Sequence, residues 1–259
     1  SLPSKSAMPD TEFLPVSVCI CSCGRIPELK RCLDSLAVQV PPPAEIIISD
    51  DAKDGTETEA LCQNYERIKY VNGPRQGIAA NRNNCIDHIT QPWTTLVDDD
   101  AAVLKRFWEA IKELIGDTRP GVAIYTGWCE EFYDGSKKER RPTNCSWLGH
   151  FGRPPRDCLK TIDLSANLFP TALLKEITFD PLMTYGYEDV DLCNAALVRG
   201  SLIHFREEMR NEHRPPLKSE PQIRYQAASA EFARCYCQYK YWRRHRKSKI
   251  MASIFLVSY

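Results

Sequence analysis

The chain carries no net charge: 34 Lys and Arg stand against 34 Asp and Glu in 259 residues. A protein that binds nucleic acid over a broad surface would be more basic, so that class is excluded as a global property. No apolar run approaches the ~20 residues that a membrane-spanning helix needs. The opening stretch, Ser1 to Phe13, lacks the apolar centre of a signal peptide. None of the twelve cysteines forms a Cys-x-x-Cys pair. That excludes zinc ribbons and thioredoxin-like redox sites. A chain of this size buries enough surface to fold without crosslinks. The cysteines therefore read as small buried hydrophobes, reduced and non-catalytic, in a cytoplasmic protein.

What remains is ordinary in bulk and ordered in pattern. The hydrophobic share is 43% and the charged share 26%, as in a globular protein of one large or two small domains. Residues 1–14 are polar, carry two prolines, and are expected to be disordered. Val16 to Ser22 is a continuous apolar run of the kind a strand buried on both faces requires. Cys19, Cys21 and Cys23 follow at period two and would share one face of it. A helical pattern then runs from Leu29 to Val40 and stops at Pro41-Pro-Pro43. Strand and helix alternate again: 45–49, then 56–65 with Thr56 as its cap, 68–71, 78–89, 94–97 and 107–115. This alternation predicts an α/β fold, a mostly parallel sheet flanked by helices. Beyond it lie strands at 122–128, 163–169 and 201–209, a helix over 188–198, and loops over 129–160. A polar, aromatic helical extension occupies the remainder. The expected division is 15–215 as one catalytic domain, its halves 15–120 and 121–215, with 216–259 as the extension.

In such a sheet, ligands bind beyond the carboxyl ends of the strands. Asp50 and Asp51 follow the second strand, and Asp98, Asp99 and Asp100 follow the fourth. Three adjacent carboxylates repel one another unless a cation is present. At a strand end Asp98 and Asp100 point to one side and Asp99 to the other. Two oxygens on one side suit a hard divalent cation that a phosphate could share. The rival is a solvated acidic loop.

With these motifs in order, the chain resembles the GT-A fold glycosyltransferases of family 2. Their opening Pro-Val-Ser-Val-Ile-Pro-Thr-Tyr-Asn-Arg is matched by Pro15-Val-Ser-Val-Cys-Ile-Cys-Ser-Cys-Gly-Arg25. Their Asp-Asp-Gly-Ser-x-Asp-Gly-Thr is matched, one residue shorter, by Asp50-Asp-Ala-Lys-Asp-Gly-Thr56. Their Gly-x-x-x-Ala-Arg-Asn is matched by Gly77-Ile-Ala-Ala-Asn-Arg-Asn83, their DXD motif by Asp98-Asp99-Asp100, and their Glu-Asp motif by Glu188-Asp189. The resemblance spans residues 15–215. Cys21-Ser-Cys-Gly24 departs from it, since the aromatic that stacks on the base is missing.

The resemblance implies a metal-dependent, inverting transfer of a sugar from a nucleotide-diphosphate sugar, a UDP-sugar foremost, to a hydroxyl of a glycan or lipid-linked acceptor. Ser22, Cys23 and Arg25 would line the nucleotide, and Asp51, helped by Asp54, would accept from its base or ribose. Arg82 would approach the diphosphate, and Asp98 with Asp99 the sugar and ribose. Asp100 would be the main metal ligand, beside Asp98 and His213. Imidazole favours Mn²⁺ over Mg²⁺. Asp189 would be the base, and Glu188 would hold an acceptor hydroxyl. Charge at a helix N-terminus explains the same two residues structurally.

Two other functions compete. A sugar-nucleotide nucleotidyltransferase would show a Gly-x-Gly-Thr-Arg-type loop after the first strand, where this chain has Ser22-Cys-Gly-Arg25. A non-catalytic relative would have broken acidic motifs, and here both are whole. Finally, Tyr236 to Lys249 interleaves aromatics with basic residues, and 250–259 is mostly apolar. Peripheral membrane contact through 236–259, at an inner membrane face, competes with a helix packed on the domain. An RNA-binding tail has no companion motif.

Overall fold

The computed structural model describes residues 12–118, 120–153, 155 and 158–258. The expected disorder of 1–14 therefore falls mostly outside the described residues, and Leu14 already begins the first strand. One half of the fold alternates β1 (Leu14–Ser22), α1 (Ile26–Ala37), β2 (Pro43–Asp50), α2 (Thr56–Cys62), β3 (Ile68–Asn72), α3 (Ile78–Ile86), β4 (Trp93–Asp98), β5 (Ala101–Ala102) and α4 (Lys105–Asp117). The other half holds β6 (Ala123–Tyr133), β7 (Ser136–Arg140), β8 (Asn167–Pro170), α5 (Thr171–Ile177), α6 (Glu188–Val198) and β9 (Leu202–His213). Helices α7 (Glu220–Lys240) and α8 (Lys249–Ser258) follow, joined through a single π turn over Tyr241–His245.

The sheet runs β3-β2-β1-β4-β8-β6-β9-β5, with β7 beside β6. β3, β2, β1 and β4 are parallel, as expected of βαβ units. β8 runs antiparallel to both of its neighbours, β4 and β6.

Helices cover both sheet faces, which is why β1 can be apolar throughout. Val16, Val18 and Ile20 pack with Leu29, Leu33, Leu36, Phe107 and Ile111 on one face. Cys19, Cys21, Ile47 and Leu96 pack with Cys85, Ile86, Leu192 and Cys193 on the other. Cys23 corrects the period-two expectation: β1 ends at Ser22, and Cys23 lies exposed in the bend beyond it. All twelve cysteines are free thiols.

Two further expectations change. Thr56 is the first residue of α2, and Gly55 takes the cap position. The expected loop after residue 128 includes the hairpin β6–β7, turning at Asp134-Gly135. Its faces are polar and tied by cross-strand pairs such as Lys137–Glu130 and Lys138–Glu131, so no apolar alternation marks it. The Asp-Gly dipeptide was its one sequence signal.

The extension folds onto the domain through α7 and the π turn. Lys240 Nζ lies 2.6 Å from both Asp180 and Asp191, and all three side chains are at most 13% exposed. Tyr236 also donates to Asp180, at 3.1 Å. Lys240→Met would leave two buried carboxylates uncompensated. It is expected to destabilise the fold by about 3 kcal/mol, measured as a lower urea midpoint at unchanged m-value.

Candidate active site

The carboxyl ends of β1, β2 and β4 meet in one crevice. Asn81 of α3 ties two of them together, its amide donating to Ser22 O at 3.3 Å and Ser49 O at 3.1 Å. Gly77 makes this placement of α3 possible. It has φ +96°, and a Cβ there would come within 2.8 Å of the Thr184 backbone, so only glycine fits.

β4 ends at Asp98, so the period-two expectation does not extend to Asp99 and Asp100, which lie in the turn beyond it, where Arg25 bridges both. Asp98 accepts from Arg82 Nη2 at 3.0 Å and Ser165 Oγ at 2.9 Å. Asp99, fully buried, holds the Arg25 guanidinium, with Arg25 Nε at 3.0 Å. Asp100 lies 2.9 Å from Arg25 Nη1 through one oxygen and 3.0 Å from His213 Nε2 through the other. The triplet's charge is thus opposed by Arg25, Arg82 and His213 as well as by any bound cation. That corrects the premise that the acidic triplet needs a bound cation for charge compensation.

Burial disfavours ionisation of Asp98, yet Arg82, His213 and Arg140 hold its carboxyl well below the usual range. Burial, with Asp100 adding to it and Arg25 opposing it, pushes Asp99 up to about 7. His213 is pulled down by burial but held up, to about 9, by Asp100 and Glu131.

One oxygen each of Asp98 and Asp100 and a nitrogen of His213 lie within 4.8 Å of one another, the single such cluster among the described residues. Two carboxylates and an imidazole are a donor set that suits Mn²⁺. His213 is aimed by groups around it: Glu131 lies 3.3 Å from its Nδ1, and Arg140 beside it is fixed by Asp163 at 3.0 Å.

Arg82 carries the connection onward. It is nearly buried, and its other terminal nitrogen pairs with Glu188 at the start of α6. Both terminal nitrogens of Arg82 thus go to carboxylates. One Glu188 oxygen, buried, has no hydrogen-bond partner. Tyr187, just before it, takes a left-handed backbone at φ 61° and stacks on Phe151 at 5.1 Å. Asp189 is partly exposed; its carboxylate accepts from the backbone N–H groups of Val190 and of Asp189 itself, and it has no partner among the side chains. Burial, then the neighbouring Glu188, pushes it up to about 7.

The remaining nucleotide candidates divide. Ser22 and Cys23 flank the end of β1, and the Ser22 carbonyl accepts from Asp51 N at 2.9 Å. Asp51 accepts from the Arg75 backbone N–H at 2.8 Å. Asp54 is fully exposed and caps the first turn of α2 through Thr56, away from the acidic cluster. Sequence reasoning placed Asp50 at the strand end but gave it no role; it is buried and accepts from Gly24 N and Ala52 N, both at 3.1 Å. It missed Ser165, Arg140 and Glu131. Asp50 at least adjoins Asp51; the other three come from segments that no motif marks.

An acidic strand end and a facing helix N-terminus at the carboxyl ends of parallel strands stand where ligands bind in open α/β sheets. The chain belongs to the glycosyl transferase family 2, whose family model matches residues 17–177, and it is a glycosyltransferase. It is 25% identical over 100 residues to the glycosyltransferase GlyA of Streptococcus pneumoniae, a match covering 37% of this chain and 14% of GlyA. Solved structures share the fold at low identity. Residues 1–349 of Staphylococcus aureus TarS with UDP-GlcNAc superpose with a TM-score of 0.62 and 16% identity, over 90% of this chain and 73% of that one. The Pyrobaculum calidifontis mannosyltransferase PcManGT with GDP-Man and Mn²⁺ gives 0.61 and 13%, over 95% and 75%. GalNAc-T7 with UDP, GalNAc and Mn²⁺ gives 0.64 and 14%, over 93% and 53%.

Proposed function

We propose that the protein transfers a sugar from a UDP-sugar to an acceptor hydroxyl with inversion at the anomeric carbon, in glycan or polysaccharide assembly. The observation that carries this reading is the buried bridge Asp98–Arg82–Glu188. It joins the acidic end of β4 to the N-terminus of α6 and leaves the next residue, Asp189, with a carboxylate that no cationic side chain pairs and that is poised near neutrality.

In this reading Asp189 takes the acceptor's proton. The acceptor oxygen bonds to the anomeric carbon as the bond from that carbon to the diphosphate oxygen breaks on the opposite face. Glu188, through its unpartnered oxygen, accepts from an acceptor hydroxyl. Asp51 accepts from the base or ribose at the end of β2. Ser22, Cys23 and Arg25 border the nucleotide. Asp98, Asp100 and His213 would hold Mn²⁺, which would stabilise the departing diphosphate as a Lewis acid. Arg25 and Arg82 already crowd positive charge around this point.

A thermal-shift panel of nucleotide sugars with Mn²⁺ tests the donor. A UDP-sugar at about 100 times its Kd is expected to stabilise the fold by about 2.7 kcal/mol, and the other nucleotides by less. If no nucleotide sugar raises the melting temperature, the reading fails at its first step.

A further inference from the structure

The structure splits the basic, aromatic extension into two parts with different fates. Its aromatics are used internally: Tyr236 is hydrogen-bonded to Asp180, and Trp242 packs on Trp147 with ring centroids 4.8 Å apart. The cations that follow are not. Arg243, Arg244, Arg246, Lys247 and Lys249 are all exposed, and none is in an ion pair. From Phe232 to Tyr259 the sequence contains no Asp or Glu. A chain of zero net charge thus ends in a locally basic surface.

Helix α8 adds the second element. It buries Ala252 and Phe255 against the rest of the fold. At 100° per residue its opposite arc carries Ile250, Ile254 and Val257, which are 74%, 47% and 88% exposed. Ser253 and Ser258, also exposed, border that arc. Isolated apolar residues on a surface need no explanation, but three aliphatics on one helical arc, adjoining five unpaired cations, do. A helix with an aliphatic outer face next to Lys and Arg matches an interfacial membrane anchor, whose side chains enter the headgroup boundary while the cations meet anionic lipid.

We propose that α8 and the preceding basic turn dock the protein on the surface of an anionic lipid bilayer, without crossing it. No helix among the described residues is long and apolar enough to span a membrane, which fits a helix lying in the interface. Charge complementarity selects lipid over a second copy of this chain, since two such surfaces would bring five cations against five. The inference rests on α8 and its neighbours alone, so it stands or falls independently of the donor, the metal and Asp189.

Co-sedimentation with phosphatidylcholine vesicles, with and without phosphatidylglycerol, tests it. The protein is expected to bind only the phosphatidylglycerol vesicles and to be released by high salt. The variant R243Q/R244Q/R246Q is expected to bind about 100-fold more weakly, at roughly fivefold per cation. The variant I250S/I254S/V257S is expected to lose binding even at low salt. Both should keep the circular dichroism spectrum and melting temperature of the parent, which separates lost docking from lost folding. Indifference of the parent to phosphatidylglycerol, or equal binding by either variant, overturns the proposal. So does a concentration-dependent dimer in light scattering that I250S/I254S/V257S abolishes without any vesicle binding, because the face would then belong to a second copy.

Discussion

Replacing Asp189 with asparagine is expected to lower kcat by about 10²–10⁴-fold while leaving donor affinity almost unchanged. Asparagine keeps the size and hydrogen-bonding shape of the side chain but cannot take the acceptor's proton. In the proposed reading the nucleotide and diphosphate are held at the ends of β1, β2 and β4, away from the substituted side chain. The loss should therefore fall on kcat and not on donor binding. Because burial and Glu188 raise Asp189 to about 7, the parent's kcat should climb as pH rises through that value, and the residual rate of the variant should not.

The same shift makes a prediction about stability with the opposite sense. A carboxyl that ionises at about 7 in the fold and near 3.8 otherwise binds its proton more tightly in the native state. Its stabilising contribution is complete below pH 3.8 and is lost as pH rises through about 7. The ionised carboxylate is then a cost, which asparagine removes. Asp189→Asn should accordingly raise the melting temperature by a few degrees above pH 7 and leave it unchanged near pH 4. A variant that is more stable yet inactive would distinguish a functional carboxylate from a structural one, since removing a structural carboxylate destabilises. Product NMR should show an anomeric configuration opposite to that of the donor. Retained configuration, or near-normal kcat in the variant, would remove Asp189 from this role.

Asp100→Ala is expected to lower turnover by about 10³-fold or more, because a Lewis acid at the diphosphate is worth several kcal/mol. The independent readout is Mn²⁺ binding by calorimetry, which should disappear with the carboxylate. EDTA should stop the parent reversibly, and added Mn²⁺ should restore it. Full activity in EDTA would show that Arg25, Arg82 and His213 suffice to stabilise the leaving group, and the metal assignment would fall.

How much of this was legible in the sequence varies by element. The βαβ half was legible because strands buried on both faces carry near-continuous apolar runs, as Val18 to Cys21 and Ile46 to Ile48 do. The polar hairpin β6–β7 was not, because it draws its stability from cross-strand ion pairs and neighbouring packing that leave no periodic mark. Helix α5 and the two-residue β5 were too short for a period to show.

The site divides in the same way. The motifs at Asp98-Asp99-Asp100 and Glu188-Asp189 declare themselves, since adjacent carboxylates are costly and need a reason. The direction of the side chains just past a strand end does not follow from period-two geometry, because β1 stops before Cys23 and β4 before Asp99. What the sequence could not supply is which charges meet. Arg82 touches Glu188 from 106 positions away, and Arg25 touches Asp99 from 74. Arg140 and Glu131 reach His213, and Asp163 reaches Arg140, from strands and loops that carry no motif. Likewise composition identified a basic and apolar extension, but only tertiary packing shows which aromatics are consumed internally and which aliphatics stay exposed. Local chemistry, periodicity and charge repulsion are properties of neighbours along the chain and so are written in it. Pairing and burial depend on chain closure over tens of residues, and only the folded structure decides them.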